Sequence, residues 1–395
     1  MENFNGLYEA LKHVSGFIYP NEVKLQWSVL IVLYPYITGL VAGAFILASL
    51  NRVFNVKALR PTCELSLLAA FSFLLVATMP LIAHLGQPQR FYEIMMTPHL
   101  TSAMAIFGFV YLWYLMAVLL LEIYFDYRRD MYLWSNEKKG LLRWVYRFLT
   151  LGVYDVSPKA LRWDEKLGYI ITVIGIPSAF LLHGYVGFIF GSIKANPWWS
   201  SVMMPVIFLF SAMVSGIALV LFLYYAVNII RKQKLDMNCL DAMGKFLFYI
   251  LILDFTLESL DQIHRIYVAE ESFDIITILM TKLFWTLTIM QVLLGTFVPL
   301  VILGFFQFKK PKDVIRKVSY FVISLLVLVG IFFMRWNVVI GGQLFSKSFA
   351  GFTTYKGEFF GSEGFFEAII LMIVPFFILA FLLWFLPPWK KQHEA

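Results

Sequence analysis

Residues 26–50, QWSVLIVLYPYITGLVAGAFILASL, form an uncharged and mostly apolar run of 25 residues. An α-helix rises about 1.5 Å per residue, so about 20 such residues cross the roughly 30 Å hydrocarbon layer of a bilayer. The sequence therefore predicts an all-α integral membrane protein with nine transmembrane helices. The other eight stretches of this kind lie near 64–85, 99–125, 167–191, 202–230, 243–267, 274–308, 314–334 and 364–386. The 274–308 stretch is long enough to be tilted, to be kinked near Pro299, or to extend beyond the membrane.

The composition of the whole chain agrees with a protein that lipid solvates. Of its 395 residues, 60% are hydrophobic and 14% are charged, whereas a soluble domain carries about 25% charged residues. This excludes nucleic-acid-binding modules, secreted disulfide scaffolds and soluble dehydrogenase folds. The two cysteines, Cys63 and Cys239, lack any paired-ligand spacing. We therefore expect no zinc site and no iron–sulfur cluster in this chain.

Lysine and arginine are distributed unequally between the two sides of the predicted bundle. Of the 32 basic residues, 22 fall on one side and 8 on the other, and the basic side of a membrane protein is normally cytoplasmic. We expect a multi-pass protein of the cytoplasmic membrane with its N-terminus outside and its C-terminus in the cytoplasm.

These boundaries divide the chain into four regions. No convincing internal sequence repeat is present, yet the first eight helices are expected to pair as two four-helix bundles, with the ninth as an extra C-terminal helix. Within the cytoplasmic loop, LLRWVYRFLT (141–150) predicts a helix that lies in the membrane interface. The regions are an outer segment 1–25, a membrane domain 26–336 with cytoplasmic interfacial loop 126–166, an outer Gly- and Phe-rich loop 337–363, and the last helix with its tail 364–395.

Several histidines and other polar residues lie at or near the outer ends of the predicted helices. Ionisable groups in a membrane are costly and are often functional. A quinone head group needs hydrogen-bond donors for its carbonyls and groups that titrate near neutrality for its protons. We predict a quinone site here; the alternative is that these side chains are interfacial or cap helices. The candidates are His84, Arg90, His99, His183 and Tyr185.

A second polar group lies on one face of the sixth helix, at spacings i, i+4, i+7 and i+11. Acidic side chains in lipid must face the bundle interior and be protonated or paired with a cation, such as one on the seventh or eighth helix. We predict a proton path; a structural ion-pair network is the alternative. Its members are Asp254, Glu258, Asp261 and Arg265, with Lys282 and Arg335 as further candidate partners of the acids.

A b-type haem would need two histidines on facing helices. The four histidines of the outer half allow one such pair, but two of them lie at helix ends and no second pair lies at inner depth. We therefore expect no haem. The four are His84, His99, His183 and His264.

Two motifs, HLGQPQRFYE (84–93) and MRWNVVIGGQ (334–343), resemble the NrfD/polysulfide reductase (PsrC) family of integral membrane quinone-interacting subunits. The second motif is similar to the longer members, such as the DsrP-type and HybB-type subunits and their relatives in alternative complex III. The long members usually have ten helices, so the resemblance leaves the number of helices in this chain at nine or ten.

The resemblance implies a subunit without haem or metal that binds menaquinone or ubiquinone near the outer face. It also implies an extracytoplasmic ferredoxin-like iron–sulfur partner, and a larger complex with catalytic or multihaem cytochrome c subunits. A DsrP-like role in sulfur metabolism is favoured by resemblance alone. Such a subunit acts as a quinone oxidoreductase only within its complex.

Two other classes of function remain as alternatives. A secondary transporter would show pairs of interrupted helices around a midplane site. A passive anchor would only hold soluble redox subunits at the membrane.

Overall fold

A computed structural model describes residues 14–97, 99–268, 272–361 and 363–390. Within these ranges we number the long helices α1 to α9. Two of them contain a π-helical segment, and two short strands form an antiparallel pair. The elements are β1 (Ser15–Phe17), α1 (Val29–Arg52), α2 (Cys63–Ala77, then Met79–His84), α3 (Ala103–Trp113, π-helical Tyr114–Leu119, Leu120–Glu137), α4 (Pro158–Gly191), α5 (Met204–Ile230), α6 (Met237–Val268), α7 (Phe273–Lys282, π-helical Phe284–Phe297, Val298–Phe308), α8 (Asp313–Val339), β2 (Ala350–Phe352) and α9 (Phe365–Phe385).

The short elements lie at the two ends of the bundle. A surface helix, Leu141–Leu149, connects α3 to α4, and its apolar residues Leu141, Trp144 and Phe148 are exposed. That exposure agrees with a helix at the membrane interface. The other short elements are the helix Glu93–Met96 and the 3-10 turns Pro20–Glu22, Lys57–Thr62, Pro88–Arg90, Gly341–Gln343 and Pro388–Lys390.

The strand pair bears on the number of membrane crossings. Eight of the described helices are long and apolar enough to cross a membrane. The 32-residue α6 is not among them, since three acidic residues interrupt its apolar stretch. Because β1 and β2 pair, the chain between them must cross an even number of times. Seven of the eight candidate helices lie between the two strands, so the number of crossings is even only if α6 also crosses the membrane. With α9, the geometry favours the predicted nine crossings.

Helices α1–α4 form one four-helix bundle and α5–α8 form another, and α9 packs on α2. The bundles meet mainly where α1 crosses α5. At this crossing, a Cβ atom added to Gly216 would lie 2.3 Å from the backbone of Gly43. Only glycine allows this approach, and close backbone contact is a principal source of helix association in lipid. The two bundles and the extra helix confirm the predicted architecture.

Several helix ends differ from the sequence-based expectation. Helix α3 continues to Glu137 and α4 begins at Pro158, so the predicted loop 126–166 shortens to 138–157. The Ser157 hydroxyl accepts from the Ala160 N–H and caps α4. Helix α8 continues to Val339, which moves the start of the predicted 337–363 loop by three residues. Charged and polar residues extend these helices beyond the apolar runs.

Helix α7 is irregular at a place that the sequence did not indicate. It is interrupted at Leu283 and is π-helical over Phe284–Phe297, away from Pro299, where a kink was one of three predicted alternatives. Pro299 is the second residue of the α-helical segment that continues directly from the π-helical one. The π segment changes which side chains face the bundle interior.

We call the end of the bundle with β1 and β2 the strand end, and the other the basic end. Of the residues that the structure describes, the strand end contains 14–28, 84–97, 99–102, 191–203, 336–361 and 363–365. The predicted outer segment 1–25 is described from residue 14 onwards. The basic end contains the connections after α1, α3, α5 and α7 and the tail after α9.

Candidate functional site

His84, the last residue of α2, forms a pair with Glu363, which precedes α9. Its Nδ1 lies 2.8 Å from Glu363 Oε2, and the two side chains are 24% and 27% exposed. The carboxylate orients the imidazole and favours a proton on Nδ1. Nε2 is then the nitrogen that can accept a proton from a bound molecule.

The other predicted residues of this end lie in different surroundings. Arg90 is exposed and its guanidinium donates to both carboxylate oxygens of Glu93, at 2.7 and 2.8 Å. This pairing holds the pKa of Glu93 below its usual value. His99 is exposed in the loop before α3 and does not begin that helix as predicted. Tyr185 is half-buried, with its ring centroid 5.5 Å from that of Phe188.

The strand end also exposes apolar residues in the segment that follows His84 and in the segment that precedes Glu363. Exposed apolar patches of this kind mark contacts with lipid or with a partner. We call this surface the His84 face. Its residues are Leu85, Phe91, Tyr92, Met96, Leu100, Met104, Phe359 and Phe360.

His183 is fully buried in α4 and does not approach the surface as predicted. It lies eight residues before the helix ends at Gly191, or about 12 Å in depth. Its Nε2 is 3.0 Å from the Arg335 guanidinium, and its Nδ1 is 3.3 Å from Thr38 Oγ1. Because arginine can only donate, Nε2 accepts and the proton lies on Nδ1. Both ring nitrogens are therefore engaged by the protein.

Arg335 is the centre of this buried network. Its guanidinium donates to Ser211 Oγ at 2.6 Å and stacks 3.9 Å from the centroid of the Phe208 ring. From the sequence, Arg335 was expected only as a possible counterion of the acids on α6. Its position in the second motif, inside an apolar helix, was the available signal. The five residues predicted to bind a quinone thus do not form one cluster, because no described hydrogen bond or ion pair joins any two of them.

The acidic face of α6 points inward, as predicted. Asp254 and Asp261 are buried, and Asp261 accepts from the Ser201 hydroxyl. Asp254 Oδ1 has no hydrogen-bond partner among the described residues. Electrostatic interactions link Asp254 and Glu258 to Arg335.

A cavity of about 330 Å³ opens beside these acids. Glu258 accepts from Gln291 Nε2 at 3.2 Å, and Gln291 Oε1 accepts from Asn337 Nδ2 at 2.8 Å. Gln291 comes from the π-helical segment of α7, which brings it to face α6 and α8. The polar lining is Glu258, Ser259, Asp261, Gln262, Thr288, Gln291 and Asn337.

The predicted cation partners of the acids require one correction. Lys282 does not pair with them: its Nζ lies 4.9 Å from the centroid of the Phe352 ring in β2. It ends the first segment of α7, just before the break at Leu283. The side chain of Arg265 lies outside the described residues.

No group of three or more His, Cys, Asp or Glu residues in the described ranges is arranged to hold a metal ion. Cys63 and Cys239 are unpaired. The expectation that this chain carries no haem or iron–sulfur cluster remains a prediction.

The fold and these polar sites define a multi-pass helical membrane protein with an ionisable interior. Residues 20–347 match the family model "Polysulphide reductase, NrfD". This match covers most of the chain, which therefore belongs to the NrfD family.

Three curated relatives are similar to it. A selenate reductase subunit of Mesobacillus selenatarsenatis is 30% identical over 323 residues, which are 80% of this chain and 73% of the relative. A Halobacterium salinarum protein assigned as a dimethyl sulfoxide reductase membrane subunit is 28% identical over 56% of this chain and 48% of its own. Protein NrfD of Escherichia coli is 26% identical over 50% of this chain and 59% of its own.

Proposed function

We propose that this chain is the membrane subunit of a reductase complex that oxidises quinol at the strand end. Its electrons pass to an extracytoplasmic iron–sulfur subunit docked there. The names of two relatives contain selenate reductase and dimethyl sulfoxide reductase, and the family model is named for polysulphide. All three substrates are oxidised sulfur or selenium compounds. A terminal acceptor of this class accords with the sulfur-metabolism role expected from resemblance, and menaquinol is the donor that we favour.

The His84–Glu363 pair is the observation that carries this proposal. Oxidation of a quinol releases two electrons and two protons. His84 Nε2 is the acceptor for one proton, Glu363 stabilises the imidazolium that results, and the second proton passes to water at this partly exposed site. Leu85, the next residue in the chain, is exposed and is suited to an apolar wall for a head group. The pair thus offers the chemistry that a quinol site needs.

The His84 face is the docking surface that we propose for the iron–sulfur partner. It combines exposed aromatic residues such as Phe91, Tyr92 and Phe360 with the exposed Arg90–Glu93 pair. Aromatic residues with a polar rim are typical of protein interfaces. Catalytic and multihaem cytochrome c subunits would attach through that partner. The proposed orientation has the N-terminus and this face outside the cytoplasmic membrane.

We further propose that protons enter the interior from the cavity beside α6. Asp261 and Glu258 line the cavity, and Asp254 lies one helical turn deeper than Glu258. Asp254 has an oxygen without a hydrogen-bond partner among the described residues, so protonation would relieve an unsatisfied buried charge. The buried Arg335 is the electrostatic counterpart of both acids. Lys282, which contacts the Phe352 ring of β2, would then influence only the strand-end entrance.

The test replaces His84 with Ala in the assembled complex. General acid–base groups contribute about 100-fold or more to rate, so menaquinol-linked reduction should fall by at least about that factor. Reduction driven by a viologen donor, which bypasses the quinol, should stay normal, and the complex should retain all its polypeptides. Glu363→Gln should give a smaller loss. His264→Ala, at an exposed histidine of α6, is the matched control.

Normal menaquinol-linked turnover in the assembled H84A complex would contradict the assignment and favour a passive anchor. Uptake of a substrate into proteoliposomes without any redox partner would favour the transporter. The interrupted helices here are α2, at Thr78, and α7, at Leu283. In a transporter, the interrupted helices stand at corresponding positions of the two halves. Here they are the second helix of one bundle and the third helix of the other.

A further inference from the structure

A cavity of about 480 Å³ lies at the basic end, away from both proposed sites. Four parts of the chain enclose it: the turn before α2, the end of α5, the connection to α6 and the tail after α9. All four parts lie just beyond the ends of membrane-spanning helices. The cavity is therefore at the level of the lipid head groups. The cavity is therefore open to molecules of the membrane interface.

Positive charge exceeds negative charge in the lining of this cavity. Lys57, Arg60 and Arg231 contribute three cations, and Glu64 and Asp236 two carboxylates. One Asp236 oxygen accepts from the Asn238 N–H at 2.9 Å and caps α6. None of the three cations forms an ion pair with a residue that the structure describes. They are thus available to a ligand.

Trp389 orients one of these cations. The Arg231 guanidinium lies 3.7 Å from the centroid of the Trp389 ring, and this tryptophan is 41% exposed. Tryptophan is enriched at the membrane–water interface, and a stacked guanidinium keeps its edge for hydrogen bonds. The apolar residues Ile230, Phe381 and Trp384 are exposed nearby on α5 and α9. They offer a surface to acyl chains.

From these observations we infer that the cavity binds the phosphate-bearing head group of an anionic phospholipid. Arginine matches the geometry of phosphate oxygens with two parallel hydrogen bonds, and lysine adds charge. Basic pockets between membrane helices bind such head groups. Free phosphate shares the head group's chemistry, so the experiment must separate the two sources. The bound lipid would connect α2, α5 and the tail after α9.

The test measures phosphatidylglycerol binding to the full chain in phosphatidylcholine nanodiscs by native mass spectrometry. Each basic residue at a membrane surface contributes roughly a fivefold gain in affinity for anionic lipid. The double variant Arg60→Gln/Arg231→Gln should therefore bind phosphatidylglycerol about 30-fold more weakly. Lys138→Gln/Lys139→Gln is the matched control, because it removes equal charge from the exposed loop at the same end. This control variant should bind phosphatidylglycerol as tightly as the unaltered protein does.

Unfolding midpoints in pure phosphatidylcholine should be equal for the three proteins, which separates lipid binding from folding. The single variant Lys57→Gln provides a milder test, with about a fivefold loss. Equal losses in the two double variants would overturn the proposal, since the attraction would then be a general surface effect. Displacement of the lipid by millimolar inorganic phosphate, or binding of phosphate without lipid, would also overturn it.

Discussion

In the first bundle the buried Glu122 lies 3.1 Å from the Arg52 guanidinium, whereas the buried Asp254 of the second bundle has no ion pair among the described residues. The two carboxylates are 3% and 4% exposed. Glu122 also accepts from the Thr172 hydroxyl at 2.8 Å, and Asp126 pairs with the same arginine. The two acids are thus equally buried, but of the two only Glu122 is neutralised by direct contact with a cation that the structure describes. Paired charges connect helices, and an unpaired acid is suited to exchange protons.

A second comparison concerns the helices at the centre, α1 and α5. Thr38 and Ser211 are 173 positions apart, as are Gly43 and Gly216 at the crossing. Thr38 contacts His183 of α4, and Ser211 contacts Arg335 of α8, so each bundle links its first helix to its fourth. The two bundles thus share this contact between their first and fourth helices. The partner on the fourth helix is the neutral imidazole of His183 in the first bundle and the cation of Arg335 in the second.

The largest effect on stability is expected for Arg52→Met. This change leaves Glu122 and Asp126 buried without their cation, which typically costs about 3–5 kcal/mol. Unfolding by sodium dodecyl sulfate in mixed micelles measures the loss, with Lys138→Met as an exposed control. A loss under about 1 kcal/mol would mean that these acids are already neutral, like those proposed for the second bundle.

Ser211→Ala should have the next largest effect. The hydroxyl accepts a 2.6 Å hydrogen bond from Arg335, and interhelical hydrogen bonds in membrane proteins reach about 1.7 kcal/mol. We expect a loss near that upper value, since the donor is charged and buried. The same unfolding assay measures it. Ser200→Ala, at a half-buried serine of the preceding loop, is the control and should be close to neutral.

Thr38→Val removes the corresponding contact in the first bundle. Its partner His183 is neutral and the distance is longer, 3.3 Å, so we expect about the average value of 0.6 kcal/mol for such bonds. A loss as large as that of Ser211→Ala would show that the two bundles do not differ in the charge of this contact.

Asp254→Asn should change stability least, by less than about 0.5 kcal/mol, because a neutral amide of the same size replaces an unpaired acid. Proton uptake linked to turnover in proteoliposomes should nevertheless be lost. Glu122→Gln should have the opposite pair of effects: it should lower stability and leave proton uptake normal. A stability loss above about 2 kcal/mol for Asp254→Asn would indicate a structural ion pair instead.

Much of the architecture followed from local sequence. The apolar runs predicted the long helices, because a helix in lipid must satisfy its own backbone and cover about 30 Å with apolar side chains. The i, i+4, i+7 spacing placed Asp254, Glu258 and Asp261 on one inward face, since no charged face can be turned to lipid. The helix ends were less accurate. Beyond the hydrocarbon layer, hydropathy no longer reports where α3, α4 and α8 end.

The partners of the site residues came only from the fold. His84 meets Glu363 across 279 residues, and His183 meets Arg335 across 152. Hydropathy sets the depth of a residue and the face it occupies, but not which helix stands opposite that face. That choice depends on close approaches such as Gly43 to Gly216 and on the π-helical turns of α7, which rotate Gln291 toward Glu258. The long apolar runs thus dictate a helical membrane protein, and side-chain packing between distant helices selects its polar contacts.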